Sequence, residues 1–384
     1  MNRKMCKAFS LILIVSLAFL YGPPAKAAEQ DSSVETAIIM SIANFIKNNF
    51  VEEVDDTKLM QGAIRGMMES LGDPYSEYLT PEELKEFQTE TKGKFGGIGV
   101  VITSKDNFAT VISVIDGTPA AKVGMMPGDR IVVVNGKDVR NLGTSEIASL
   151  LRGEAGTQVS VGVQREGKML NFIMTREIIS INPVDFRILE ENTGYIKISE
   201  FNENTAANVK KALDYFKNNG VKGIILDLRN NPGGVLQQAV KVAQYFVPKG
   251  PIVKVVFKNG RTVTYNSTSE PMEFNLVVLV NGGSASASEI VAGAIKDRKS
   301  GLLVGEKTFG KATVQQVVDL GALGGIKITV GKYVTPGGVD INKSGITPDV
   351  EVKAAGSDDG RDLQLEKALE ILRELMGQKV KSAA

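Results

Sequence analysis

Three serines alternate through Asn281–Glu289 (NGGSASASE): Ser284, Ser286 and Ser288. An apolar run, Phe274–Val280, precedes them and an apolar-periodic segment, Ile290–Ile295, follows. That pattern predicts a buried strand, a glycine turn and a helix. A serine at such a turn lies beside the unpaired N–H groups of a helix N-terminus, a setting that suits a nucleophile. It suits a helix cap as well, because Ser286 and Glu289 have the S-x-x-E spacing of a capping box. Further on, Gly305–Gln316 (GEKTFGKATVQQ) places Lys311 and Gln315 four residues apart. In an extended segment that even spacing puts both side chains on one face. A lysine is ordinarily a cation at neutral pH, and taken alone Lys311 reads as a solvated surface residue. Buried beside a serine in an apolar pocket it would lose its proton more easily and could act as the serine's base. The amide oxygen of Gln315 could orient it without adding a negative charge. A third motif, Asp227–Gly234 (DLRNNPGG), ends a buried strand and exposes backbone N–H groups of the kind an oxyanion hole needs. It reads equally as an ordinary strand-to-helix turn.

Composition narrows the chemistry. The 384 residues contain no histidine, and the single cysteine is Cys6. Ser-His-Asp and Cys-His catalysis are therefore excluded, as are Cys/His zinc sites. A hydrolase of this composition needs Lys, Asp, Glu or a chain terminus as base, or a carboxylate-bound metal. Lysine plus arginine number 45 against 44 acidic residues, so nothing points to nucleic acid.

The N-terminus reads as a targeting segment. Arg3, Lys4 and Lys7 precede the uncharged Ala8–Tyr21, and Ala25-Lys26-Ala27 supplies small residues for cleavage before Ala28. The stretch is shorter than the ~20 residues a spanning helix needs, and a retained, tilted anchor is the alternative. The expected setting is export to a bacterial envelope, on its extracytoplasmic face or in the periplasm. Beyond the leader (1–27), residues 28–92 read as a helical arm packing on a neighbour or a second subunit. Residues 93–178 read as a compact domain of short strands, opening on the loop Gly96–Val100. That loop aims backbone N–H groups into one space where a peptide carboxylate could sit, or is a plain β-turn. Residues 179–352 alternate strand and helix, and 353–384 form a linker and a closing amphipathic helix.

NGGSASASEI, then VGEKTFGKATVQ, then YVTPGGVDINKSGITPD, together with DLRNNPGG and GGIGV, closely resemble the carboxyl-terminal processing peptidases. These are serine proteases that carry a PDZ domain. The resemblance implies a multidomain α/β chain: helical N-terminal arm, PDZ-like β-rich domain, crotonase-like α/β protease core with a mixed sheet, and C-terminal helix. It implies Ser286 as nucleophile, Lys311 as general base and Gln315 as its supporting amide. Oxyanion donors would be the backbone N–H groups of Gly233, Gly234 and Ala287. Gly97, Ile98, Gly99 and Val100 would bind substrate C-termini. Arg152, in Leu151-Arg152-Gly153, would help couple the PDZ domain to the active site, or simply pair with its helix dipole. No cofactor or metal is implied. The partners expected are protein or peptide substrates with exposed C-termini, a second copy of the chain, and an activating adaptor. The competing reading is a latent or inactive PDZ-bearing binding protein. A third, an acyl-CoA enzyme of crotonase-like fold, leaves the PDZ segment unexplained.

Overall fold

The structure is a computed structural model that describes residues 31–377, apart from 106–107, 191, 269, 271–272 and 354–360. The expected leader and most of the expected linker lie outside the described residues. The chain begins with helices α1 (Asp31–Asn49) and α2 (Asp56–Glu69), a short strand β1 (Glu77–Leu79) and helix α3 (Pro81–Lys92). Among the described residues no helix is long and apolar enough to cross a membrane. Asp55 caps α2 through the N–H groups of Thr57 and Lys58, and Thr80 with Glu83 forms a complete capping box on α3.

A second unit follows: β2 (Lys94–Gly97), β3 (Val100–Lys105), β4 (Phe108–Val114), α4 (Pro119–Lys122), β5 (Arg130–Val134), β6 (Lys137–Asp138), α5 (Thr144–Leu151), β7 (Gln158–Arg165), β8 (Lys168–Thr175) and β9 (Glu177–Ser180). Its main sheet runs β3-β4-β5-β7-β8, with β6 on β5, and β2 pairs separately with β9. The sheet encloses its own core, centred on Ile98, Val111, Ile131, Ile147 and Val161. Strand β3 is an edge, with α5 packed beside it.

The rest of the chain forms β10 (Val184–Glu190), β11 (Thr193–Ile198), α6 (Thr205–Asn218), β12 (Gly223–Asp227), α7 (Leu236–Gln244), β13 (Gly250–Phe257), β14 (Thr262–Ser267), β15 (Asn275–Val280), α8 (Ala287–Asp297), β16 (Leu302–Gly305), β17 (Thr313–Asp319), β18 (Gly325–Val334), β19 (Val350–Glu351) and α9 (Leu363–Leu375). The alternation of strands and helices reads as a mixed α/β layer architecture, with residues 314–320 and 326–334 as a β-hairpin; the structure pairs β17 with β18 in that way and builds two sheets. One, β10-β11-β12-β15-β16-β19, is parallel except at β10. Helices α6, α7 and α8 cover one face and α9 the other. Burial on both faces explains why β12 and β15 are unbroken apolar runs. The second sheet joins β13, β14, β17 and β18 and packs on the far side of the helices.

The arm is not peripheral. Strand β1 adds to the second sheet, pairing antiparallel with β18 from Glu77↔Lys327 to Leu79↔Gly325. Tyr78, Leu79 and Leu84 are buried there, and Tyr78 Oη donates to Leu323 O at 2.7 Å. Gly324, at φ +86°, leaves Leu79 O the space that a Cβ would occupy. The neighbour expected for residues 28–92 is thus, in part, the chain's own C-terminal half.

Phe216 of α6 is fully buried and meets Phe186 edge-on at 5.9 Å. Phe216→Ala should lower unfolding free energy by about 3–5 kcal/mol, read as a lower denaturant midpoint.

Candidate active site

Strands β12, β15 and β16 are consecutive neighbours in the parallel sheet, with Asp227 opposite Leu279 and Val280 opposite Gly305. Their C-terminal ends therefore open on the same edge, the position where α/β sheets bind ligands. The three sequence motifs lie on the three turns that leave those ends. This topology brings residues 227–234, 281–289 and 305–311 into one site.

The serine turn separates the roles of its three hydroxyls. Ser284 and Ser288 are fully buried. Ser284 Oγ donates to Leu228 O (2.8 Å) and Ser288 Oγ to Asn231 O (3.0 Å), so both pin this turn to the neighbouring one. Ser286 is partly exposed and takes φ +53°, ψ −112°. That conformation is strained for a residue with a Cβ, at about 1–3 kcal/mol, and is the mark of a nucleophile elbow. Gly233 allows the turn to close: a Cβ there would lie 2.7 Å from Ser286 Cβ and 2.8 Å from Ala285 O.

Glu289 was visible in the sequence only as a capping residue, and it does more than that. Its side chain is fully buried. Oε2 accepts from Ser286 N–H (2.9 Å) and Lys311 N–H (2.9 Å), and Oε1 from Thr308 Oγ1 (2.6 Å) and Gly310 N–H (2.7 Å). Tyr333, from β18, works from the other side: its hydroxyl contacts Ser286 O at 2.9 Å and Lys311 O at 2.5 Å. Two buried side chains thus bind the backbones of Ser286 and Lys311 to each other. Tyr333 could not be found from its sequence neighbourhood, because only the strand pairing brings it here.

Lys311 lies two residues before β17, and a bulge separates Val314 from Gln315. Even spacing along an extended strand is therefore not what relates Lys311 to Gln315. Gln315 Nε2 donates to Thr313 Oγ1 (2.8 Å) and Thr329 Oγ1 (3.2 Å). The Lys311 ammonium stands 4.5 Å from the centre of the Tyr75 ring. Among the described residues, no hydrogen bond joins Lys311 Nζ to Ser286 or Gln315. Burial, and then the Lys327 ammonium, hold Lys311 below the ordinary lysine value; Asp73 and Glu77 pull the other way. Tyr75, Asp73 and Glu77 all come from the arm, where sequence reasoning placed no site residue.

The expected oxyanion donors do not stand alike. Gly233 N–H already donates to Asn231 Oδ1 at 2.9 Å, which commits it within the turn. Gly234 is bridged to Phe201 through its two neighbours, Gly233 O and Val235 N–H, so its own N–H points the opposite way. Ala287 N–H opens α8, where a helix supplies no acceptor. Gly234 and Ala287 keep the donor geometry; Gly233 contributes its lack of a side chain. The same turn is anchored behind by Arg229, which pairs with Asp227 (2.6 Å) and with Asp362, the N-cap of α9 (2.8 Å). Those two carboxylates hold the Arg229 guanidinium well above its ordinary value against the effect of burial.

In the second unit, Gly97, Ile98, Gly99 and Val100 line a groove between β3 and α5, with Phe95, Leu151 and Arg152. It holds about 70 Å³ of open space. Gly99, at φ +84°, makes the turn, and Ile98 O and Gly99 O accept from Ala120 and Ile115 N–H. Arg152 lies over the Phe95 ring (5.0 Å) and within 3.9 Å of Glu86 on α3, so it joins this unit to the arm. Among the described residues, no group of acidic or thiol side chains could hold a metal ion.

Glu289→Gln replaces one acceptor oxygen with a donor facing N–H groups. It should destabilise the protein by about 2–4 kcal/mol, read in denaturant, and slow peptidase turnover more than Ser288→Ala does.

Comparison with known proteins agrees with the geometry. Residues 192–352 match the model of peptidase family S41, residues 96–175 a PDZ domain, and residues 23–83 the N-terminal domain of the activating protease CtpB. The chain is 38% identical over 334 residues to a carboxy-terminal-processing protease of Bartonella bacilliformis, covering 85% of this chain and 76% of that one. It is 39% identical to carboxy-terminal processing protease CtpA of Bacillus subtilis, covering 80% and 67%. Among solved structures it resembles a photosystem II D1 C-terminal processing protease, at 33% identity and TM-score 0.51, over 88% of this chain and 97% of that one. With its S41 core, its PDZ domain and these relatives, the chain belongs to the carboxy-terminal processing protease family of serine peptidases.

Proposed function

We propose that this chain is an exported endopeptidase that cuts proteins near their C-termini with a Ser286–Lys311 dyad assisted by Gln315. The observation that carries this reading is the shared anchoring of Ser286 and Lys311 by Glu289 and Tyr333. Neutral Lys311 takes the Ser286 proton as Oγ attacks the scissile carbonyl. Gly234 and Ala287 N–H groups bind the developing oxyanion. The lysine returns the proton to the leaving amine, and a water that it activates then releases the acyl group. The PDZ groove receives the substrate C-terminus, whose backbone extends the open edge of β3.

Export rests on the basic, apolar and small-residue pattern of residues 1–27. A second copy of the chain, as partner, is supported by α1, whose Ile38, Ile42 and Phe45 are exposed on one side, Phe45 at 67%. Arg152, on Phe95 and near Glu86, is suited to relay occupancy of the groove to the arm, and an adaptor on the arm would act through the same contact.

The reading as a latent protein also has an observation of its own. Lys311 Nζ sits on the Tyr75 ring rather than at Ser286. Apo catalytic contacts are often loose, and substrate would then complete the dyad.

Four measurements test this. Incubated with an extract, the full chain should generate new C-termini, and Ser286→Ala or Lys311→Ala should generate none; processing by Ser286→Ala at the parent rate would sink the reading. Activity should rise with pH through the depressed Lys311 pKa, with no histidine limb. Below the ordinary lysine pKa the unfolded chain protonates this residue more readily than the folded one, so the lysine costs stability there. Lys311→Met should accordingly abolish cleavage while leaving the unfolding midpoint unchanged or raised. Lastly, amidating the C-terminus of a peptide substrate should weaken its binding to the groove at least tenfold, measured by fluorescence anisotropy.

A further inference from the structure

The turn between α2 and β1 brings the Tyr75 ring against Lys311. Asp73 accepts from Tyr75 N–H (3.2 Å) and Ser76 Oγ (2.6 Å), which fixes the turn and presents the Tyr75 ring. Ser76 Oγ accepts from Thr329 N–H at 2.9 Å, tying the turn to β18. Thr329 Oγ1 in turn accepts from Gln315 Nε2. The arm therefore holds both residues proposed to serve Ser286: the lysine through a ring face, and the amide through Thr329.

We propose that Tyr75 is a positioning residue for Lys311, holding its ammonium on the arm side of the site in the resting enzyme. Through it the arm sets the pH at which the base becomes free to serve Ser286. This rests on the Ser286–Lys311 reading and deepens it.

The face of a phenol ring attracts a cation and has little affinity for the neutral amine. A lysine held there keeps its proton longer than burial alone would allow. The other charges facing it are Lys327 from β18, which opposes protonation, and Asp73 and Glu77 from the arm, which favour it. Glu77 is paired with Lys327, so those two largely cancel. Glu289, from α8, receives the backbone N–H of Lys311. The ring is then the contact that a single substitution can remove without altering net charge.

The experiment is labelling of the full chain by a fluorophosphonate, with the rate followed across pH. Tyr75→Leu and Tyr75→Met keep apolar cover over the amine and remove the ring; Tyr75→Phe keeps the ring. In the Leu and Met proteins the rising limb should move to lower pH by about 0.5–1 unit, giving ~3–10-fold faster labelling below its midpoint. Tyr75→Phe should superimpose on the parent. The unbranched Met variant keeps the test available if Leu does not fold. Limbs unchanged in Leu and Met, or moved to higher pH, overturn the role of Tyr75, as does a Phe variant that shifts with them. Labelling of Ser286→Ala at the parent rate would overturn the dyad itself, and the role of Tyr75 with it. Labelling that requires Ser286 but does not shift in Leu or Met overturns only the latter.

Discussion

A buried carboxylate with four hydrogen-bond donors, and no salt bridge among the described residues, is the constraint on which the site depends. Glu289 is inaccessible to solvent, and each of its oxygens receives two donors. A charge taken out of water is tolerated only when its hydrogen-bonding capacity is met in this way. The donors come from the serine turn and from the loop that carries the lysine, so the carboxylate is satisfied only when the two lie together. Tyr333 adds a second clasp from β18: its one hydroxyl is the donor that lies against both Ser286 O and Lys311 O. The backbones are fixed by these contacts, and the lysine side chain takes no part in them.

That division explains how a strained serine turn sits beside a lysine whose side chain is held differently. The elbow at Ser286 is held by Gly233, Asn231 and the buried hydroxyls of Ser284 and Ser288. Behind them, Arg229 ties the turn after β12 to the N-cap of α9. Strain of this kind persists only where its surroundings over-determine it. Lys311 has no comparable set of side-chain partners, and its ammonium rests on an aromatic face.

The sequence made much of this legible where chemistry was local. Unbroken apolar runs marked β12 and β15, because a parallel strand buried on both faces has no polar side to show. The missing histidine made lysine a candidate base, and the run of alternating serines marked the turn. What escaped was set by pairing between distant segments. Strand β1 is three residues long, and nothing in Glu77–Leu79 announces that β18 will accept it. Tyr75 and Tyr333 reach the site only through that sheet. The second sheet was legible only as the β17–β18 hairpin, since β14 was not read as a strand and β13 carries no sign of which sheet it joins. Gly233 was read as a donor from its glycine-rich turn and the family resemblance; that Asn231 Oδ1 already occupies its N–H depends on a side-chain rotamer, which spacing does not encode.

The union of β1 with β18 has a consequence for the order of events in the life of the molecule. Ser76 meets Thr329 across 253 residues of sequence. A ribosome delivers the arm before β18, so the ring and the lysine beneath it cannot meet until the long segment between them has been made. Closing so long a loop is slow to begin but costs little more than closing a shorter one. A proteolytic chain that is still being made has Ser286 before it has Lys311, and both before it has Tyr333 to join them.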